Sequence, residues 1–490
     1  MTIPSIDFSL VCKRLAVCDH ATDGTKTCSP NPSRRSFAAS LAIIALAVAW
    51  GFAVNDRADA GDATGNDAAW SSFQNGGHPT IADEALAATL PDQWSPNENI
   101  AWEADIEGYG QSTPIVAHGQ VFVTSTSGEN KDNCHVIAYD IHTGKKNWQF
   151  DESNPSPFAN TPMVSRAAPT GVATDDGLIA VFEGGVLVSL SPTGTTVWQK
   201  DLVALHGKID ARHGLSASLE QDAKRIYVWI ERSEQPYVLA IDKKNGEVLW
   251  KADGVGKTSW ASPRLVPVGN GQHLVCSASG MIIGLDPATG ERLWSFDDIA
   301  NNSSCTPMPI GDGQFLIGAS DGRGEESSGD AAASNGLIRI TKDSEGSFTA
   351  AFRWSANKAT STFGSPVAAT NTPSDGGKAL FVNRAGVLYQ LDLETGEALS
   401  VDRTDAGGIW ATPLVIGNRA YLFGYKGTTA VIDLSDGKQL HANRCWPAPA
   451  EESSFGGGSV LYAASAAPPY LFIRRGDKLY AIKNSEEAAE

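Results

Sequence analysis

The stretch LDPATGERLW, Leu285–Trp294, decides the fold. Nearly the same phrase returns as YDIHTGKKNW ending at Trp148, LSPTGTTVW ending at Trp198 and IDKKNGEVLW ending at Trp250. Two further copies keep the turn but lose the tryptophan: LDLETGEALS ends at Ser400 and IDLSDGKQLH at His441. Each part has a mechanical reading. The Asp caps backbone N–H groups two residues on, and the Gly supplies a positive φ at little cost. The phrase is therefore a tight turn between two strands, and the second strand ends in a large apolar ring. Self-similarity at a regular period is the signature of a repeat array.

A second phrase falls between these copies: a small hydroxyl residue, Pro, then apolar residues. It is read at Thr113-Pro114, Thr161-Pro162, Ser262-Pro263, Thr306-Pro307, Ser365-Pro366 and Thr412-Pro413, with degenerate copies at Ser216 and Ser459. After each comes an apolar run, a Gly or Asp/Asn turn, an alternating strand such as IYVWI or ALFVN, a tight turn, a third strand, and the Asp-x-x-Thr-Gly turn. Short strands punctuated in this way argue antiparallel β-structure. Four strands in a period of 40–50 residues make a β-propeller blade. The expected fold is all-β: an eight-bladed β-propeller of four-stranded antiparallel blades over residues 99–486. The eighth unit stops after three strands, while NIAWEADI (Asn99–Ile106) is a strand without a partner. Joining the two completes the last blade, closes the ring and leaves no exposed edge. Trp102, Trp148, Trp198, Trp250, Trp294 and Trp354 are expected between blades, since one buried Trp removes about 150–250 Å² from water, about 4–6 kcal/mol. Blade five carries the polar insertion Ser320–Gly336, a surface loop, and ends at Trp354 without a Thr-Gly turn.

The ends and the bulk charge bound the setting. Residues 1–60 read as an export leader: Arg34-Arg35 followed by Ser-Phe resembles the twin-arginine motif, an apolar run spans 37–54, and Ala58-Asp59-Ala60 suits a signal peptidase. A run of that length also fits an uncleaved membrane anchor. Residues 61–98 form an N-terminal extension and 487–490 a tail. The expected location is the periplasm or cell envelope, with membrane contact only through the N-terminal segment if it is retained. A formal charge of −18 argues against nucleic-acid binding, which needs a basic footprint. Cys134, Cys276, Cys305 and Cys445 are widely spaced, with no CxxC pair, and read as buried single thiols.

The pattern D-x-x-T-G-x-x-x-W resembles the PQQ-like propeller repeat over nearly the whole of residues 100–486. Trp70, Phe73, Asn75-Gly76, Trp94, Trp102 and Thr113-Pro114 look like the head of exported bacterial PQQ-binding-like propellers. The resemblance implies two functional groups: quinoprotein dehydrogenases, and non-enzymatic propellers that include the lipoprotein of the outer-membrane barrel-assembly machinery. For the first it implies PQQ over the central channel, Ca²⁺ held by Glu and Asn, an Asp base, and a disulfide of adjacent cysteines above the quinone. This chain has no adjacent cysteine pair, and only Asp210 lies near the positions that would face the channel mouth. Those positions precede each Ser/Thr-Pro: Tyr109, Asn160, Arg212, His213, Trp260, Asn302, Phe363, Trp410 and Phe455. The reading favours a monomeric, non-enzymatic scaffold for a protein, peptide or carbohydrate partner, with no catalytic residue, metal site or cofactor. A PQQ- or metal-dependent oxidoreductase and an outer-membrane assembly factor are the alternatives.

Overall fold

A computed structural model describes residues 69–485, apart from 162–163, 212, 233, 257–259, 321–328, 357, 370–376 and 449–460. The leader read over 1–60 and the tail over 487–490 lie outside the described residues. Eight antiparallel sheets follow one another along the chain, each in simple sequential strand order. The first blade runs Ile115–Ala117, Gln120–Ser127, Asn133–Asp140 and Lys146–Ser153. The last runs Leu461–Ala467, Tyr470–Arg475 and Lys478–Ile482, and its fourth strand is Ile100–Asp105 from the other end of the chain. Trp102 pairs with Ala481 and Asp105 with Lys478 in that closure. Lys478 Nζ adds ion pairs to Glu103 at 2.9 Å and Asp105 at 3.1 Å.

The repeated turn does more than reverse the chain. In LDPATGERLW the Asp286 carboxylate accepts from the backbone N–H of Ala288 and Thr289, and the N–H of Gly290 closes the turn on Asp286 O at 2.8 Å. Gly290 has φ +76°, and a Cβ there would lie 2.6 Å from the indole of Trp250, the tryptophan of the preceding blade. That indole donates its N–H to Pro287 O at 3.0 Å. The same docking joins Trp102 to Ile141 O, Trp148 to Pro192 O, Trp198 to Lys243 O and Trp354 to Leu393 O, at 2.8–3.0 Å. So the turn of one blade is the socket for the ring of the blade before it, which is why turn and Trp recur together.

Trp294 departs from this arrangement. The fifth blade has no Thr-Gly turn to receive it, and its indole donates instead to His273 Nδ1 at 3.0 Å within its own blade. Phe296 and Phe352, with ring centroids 5.5 Å apart, pack across that contact.

The hydroxyl phrase also builds one continuous device. The N–H of Thr113 donates to Thr170 Oγ1, that of Thr170 to Ser218 Oγ, and that of Ser218 to Ser262 Oγ. The series continues from Ser262 to Thr306, Thr306 to Ser365 and Ser365 to Thr412, all at 2.9–3.1 Å. Seven blades are thereby laced around the axis. Two of the expected positions are corrected: Thr161 is exposed and Ser216 stands two residues early, while Thr170 and Ser218 take the ring positions. An insertion after the first blade lifts Thr161 off the axis. The eighth copy, Ser459, lies outside the described residues.

The four thiols are free and buried, each in a separate place. No helix among the described residues is long and apolar enough to cross a membrane.

Candidate functional site

Four antiparallel strands put their connections alternately on two faces. The strand 1–2 turns and the Asp-x-x-Thr-Gly turns share one face; the strand 2–3 turns and the loops between blades share the other. The loop face holds the channel mouth, and the N-terminal extension fills the channel beneath it.

The extension is built into the ring rather than laid on it. Trp70 exchanges N–H···O bonds with Val116 on the innermost strand of the first blade, at 3.1 and 3.0 Å. Ser71 O accepts from Ala173 N in the second blade at 2.8 Å. Gln74 reaches the hydroxyl ring, its amide donating to Ser365 Oγ at 3.1 Å and Thr412 Oγ1 at 2.6 Å. Arg264 in the fourth blade donates to Phe73 O and Gln74 Oε1, and ion-pairs with Glu220 at 2.9 Å. Burial without that partner would cost each charge several kcal/mol. Thr80–Ile81 then adds a short parallel strand to the inner edge of the seventh blade, Leu414–Ile416, a fifth strand that the sequence pattern did not announce. Trp70 and Gln74 are 1% and 5% exposed, so the axis is packed with protein.

A cavity of about 100 Å³ remains between Trp70, Phe73 and Gln74 below and Phe363 and Trp410 above. Pockets for cofactor-sized ligands usually enclose about 300–1,000 Å³. Trp70 and Gln74 floor this space, and its lining carries no charged side chain. No group of His, Cys, Asp and Glu side chains suited to a metal ion occurs among the described residues.

The mouth itself is aromatic. Trp410 stacks on Tyr425 with centroids 5.0 Å apart, and Phe363 meets Trp410 edge-on at 5.7 Å. His213 and Trp260 form a second edge-on pair at 5.4 Å. The Arg166 guanidinium lies 3.7 Å above the ring of Tyr109. All of these side chains are half-buried.

The expected mouth residues thus divide. Tyr109, His213, Trp260, Phe363 and Trp410 come together in those clusters. Asn302 does not line the mouth: it is fully buried, donates to Ser277 Oγ and Met281 O, and accepts from Gly280 N, so it anchors a loop. Asn160 ties its loop to Gly128 O and Glu129 O. Arg212 and Phe455 lie outside the described residues. Arg166 and Tyr425 were missed. Arg166 was hidden because Thr161-Pro162 stood in for the ring position that Thr170 occupies. Tyr425 sits on a strand 2–3 turn, a place the interblade spacing does not reach.

Fold and site define an eight-bladed propeller of PQQ-like repeats. The chain belongs to the family described as outer membrane protein assembly factor BamB, whose model matches residues 55–207, 183–335 and 346–488. Similar solved structures include the quinohemoprotein alcohol dehydrogenase from Comamonas testosteroni (12% identity, 86% of this chain and 82% of that one, TM-score 0.55). A europium-containing methanol dehydrogenase matches at 12% identity over 81% of this chain and 90% of that one, TM-score 0.53. BamB from Moraxella catarrhalis matches at 13% identity over 79% and 99%, TM-score 0.49. Identities this low show the fold alone. None of the curated proteins matches the sequence.

Proposed function

We propose that the chain is an exported, monomeric binding module of the cell envelope that docks a polypeptide segment of a partner protein at the channel mouth and turns over no substrate. One observation carries this: the axis is filled by Trp70, Phe73 and Gln74, while half-buried Trp, Tyr and Arg side chains crowd the opening above. Trp, Tyr and Arg are the residues that dominate protein-binding hot spots, where a fully desolvated ring or guanidinium contributes most of the affinity. The family description supports a partner in outer-membrane assembly, and the leader-like residues 34–60 support an envelope location.

The test has two arms. Purified protein mixed with PQQ and Ca²⁺ is expected to show no bound-quinone absorbance and no dye-linked alcohol oxidation. Photo-crosslinkers placed beside Trp410 and Trp260 are expected to capture an envelope protein, and W260A/W410A to lose that capture by tenfold or more, as for hot-spot residues worth about 2 kcal/mol. Stoichiometric quinone binding with dye reduction, or capture unaffected by the double variant, would overturn the reading.

A further inference from the structure

Three adjacent strands of the first blade bring a serine, a histidine and an aspartate into one hydrogen-bonded line. Ser127 ends the strand Gln120–Ser127, His135 lies in Asn133–Asp140 and Asp151 in Lys146–Ser153. His135 faces Asp151 across one ladder and Ser125 across the other, so Ser127 is its diagonal neighbour on the same face of the sheet. His135 Nδ1 is 2.6 Å from Asp151 Oδ1, and Nε2 is 2.8 Å from Ser127 Oγ.

The proton positions follow from the three groups. Partial burial works to raise the Asp151 carboxyl, yet hydrogen bonds from Gln149 and His135 hold it below its ordinary value. Asp151 is therefore a carboxylate near neutral pH and can only accept. The neutral imidazole then carries its proton on Nδ1, which donates to Asp151, and its Nε2 lone pair receives the Ser127 O–H. A serine held this way passes its proton to the ring as it attacks, which is how a weakly nucleophilic hydroxyl is activated. His135 is buried and so held in place. Ser127 is half-buried and is followed by exposed Gly128, Glu129 and Asn130, so a reagent reaches it from solvent. Gly128 turns the chain at φ +89°, where a Cβ would strike Asp132. Its N–H has no acceptor among the described residues and is a backbone donor one residue past the nucleophile, a position that serves oxyanions in other serine nucleophiles.

We propose that Ser127 is a base-activated nucleophile that takes one acyl group from an activated ester carrying no negative charge. Ser127 Oγ bonds to the carbonyl carbon while its proton moves to His135 Nε2. The bond from that carbon to the leaving oxygen breaks, and the leaving group departs with the proton. The charge of the donor is set by the surroundings. Glu107 shares the Gln149 amide with Asp151, and Asp132 caps the turn after Ser127. The cation on that turn, Lys131, points inward to Glu183. An anion approaching Ser127 is repelled. The acyl group stays on the chain, because a serine alkoxide is a far poorer leaving group than that of the activated donor. This is a stoichiometric modification, separate from docking at the mouth.

The experiment mixes the purified chain with p-nitrophenyl acetate or, as the anionic comparator, mono-p-nitrophenyl succinate. Released p-nitrophenolate is followed by absorbance, and the adduct is located by peptide mass spectrometry. The acetate should give a burst of one equivalent per chain with the acetyl group on Ser127, and the succinate should react about tenfold more slowly or less. Ser127→Ala should abolish the burst. Asp151→Asn, at an exposed position, should slow it by about a hundredfold or more at an unchanged thermal midpoint, because the amide no longer enforces the Nδ1–H tautomer. A purely structural network would leave the rate unmoved by that variant. No burst, an adduct only on other residues, an unchanged rate in Asp151→Asn, equal rates for the two esters, or release that continues past one equivalent would overturn the proposal. None of these outcomes bears on the mouth, which is tested separately by capture.

Discussion

The second and third blades meet as the sixth and seventh do, yet by different chemistry. At the first contact the Trp198 indole lies over Gly246 and donates to Lys243 O at 2.9 Å. At the second contact the equivalent strand offers Ser400, and the equivalent carbonyl, Leu434 O, still finds a donor: the Lys378 ammonium, which also reaches Gln390 Oε1. The turn presents its carbonyl identically in both places because the Asp and Gly fix the backbone. The donor is therefore negotiable and the socket is not. What a lysine cannot replace is the buried apolar area of the ring, Trp198 being only 8% exposed.

Three pairs of substitutions sharpen this contrast. Trp198→Ala should be the most damaging, costing about 3–5 kcal/mol through lost burial and a cavity between blades. Ser400→Ala at the equivalent position should cost under about 0.5 kcal/mol. Urea unfolding midpoints would compare them, and equal losses would break the distinction between the contacts. Gly246→Ala comes next, at about 1–3 kcal/mol, because φ is +71° and the new Cβ would sit 2.8 Å from the Trp198 ring. Gly437→Ala shares the positive φ, +74°, but meets only polar side-chain atoms at 3.1–3.4 Å, so its thermal shift should be the smaller of the two. Lys378→Met should cost about 1–2 kcal/mol for a lost charged hydrogen bond to Leu434 O. Adding Ser400→Trp to that variant should recover part of it, since the indole could then reach the vacated carbonyl; no recovery would mean the socket differs after all.

The same contrast explains what the sequence made legible. The outer sockets were readable because a local turn and its Trp recur in one phrase. Ring closure was readable because one strand was missing at one end and surplus at the other. The hydroxyl ring was read at five of its seven described positions and misplaced at Thr170 and Ser218. There a decoy Thr161-Pro162 and an absent proline broke the pattern. The channel filling was not read at all. Trp70–Ile81 has no periodicity, and its partners Val116, Ala173, Arg264, Ser365 and Thr412 are scattered over the chain. Only three-dimensional proximity links them. Of the expected mouth positions, Tyr109, His213, Trp260, Phe363 and Trp410 fall in ring clusters, whereas Asn302 anchors a loop.

The pairing of Ile100–Asp105 with Lys478–Ile482 also sets an order of events during synthesis. A ribosome adding about 5–20 residues per second releases the first strand tens of seconds before its partner exists. Until then the growing arc has two unpaired edge strands. A chain that stopped just before Lys478 would carry seven complete blades and an eighth lacking both Lys478–Ile482 and its link to Ile100–Asp105, so the circle would stay open at one seam.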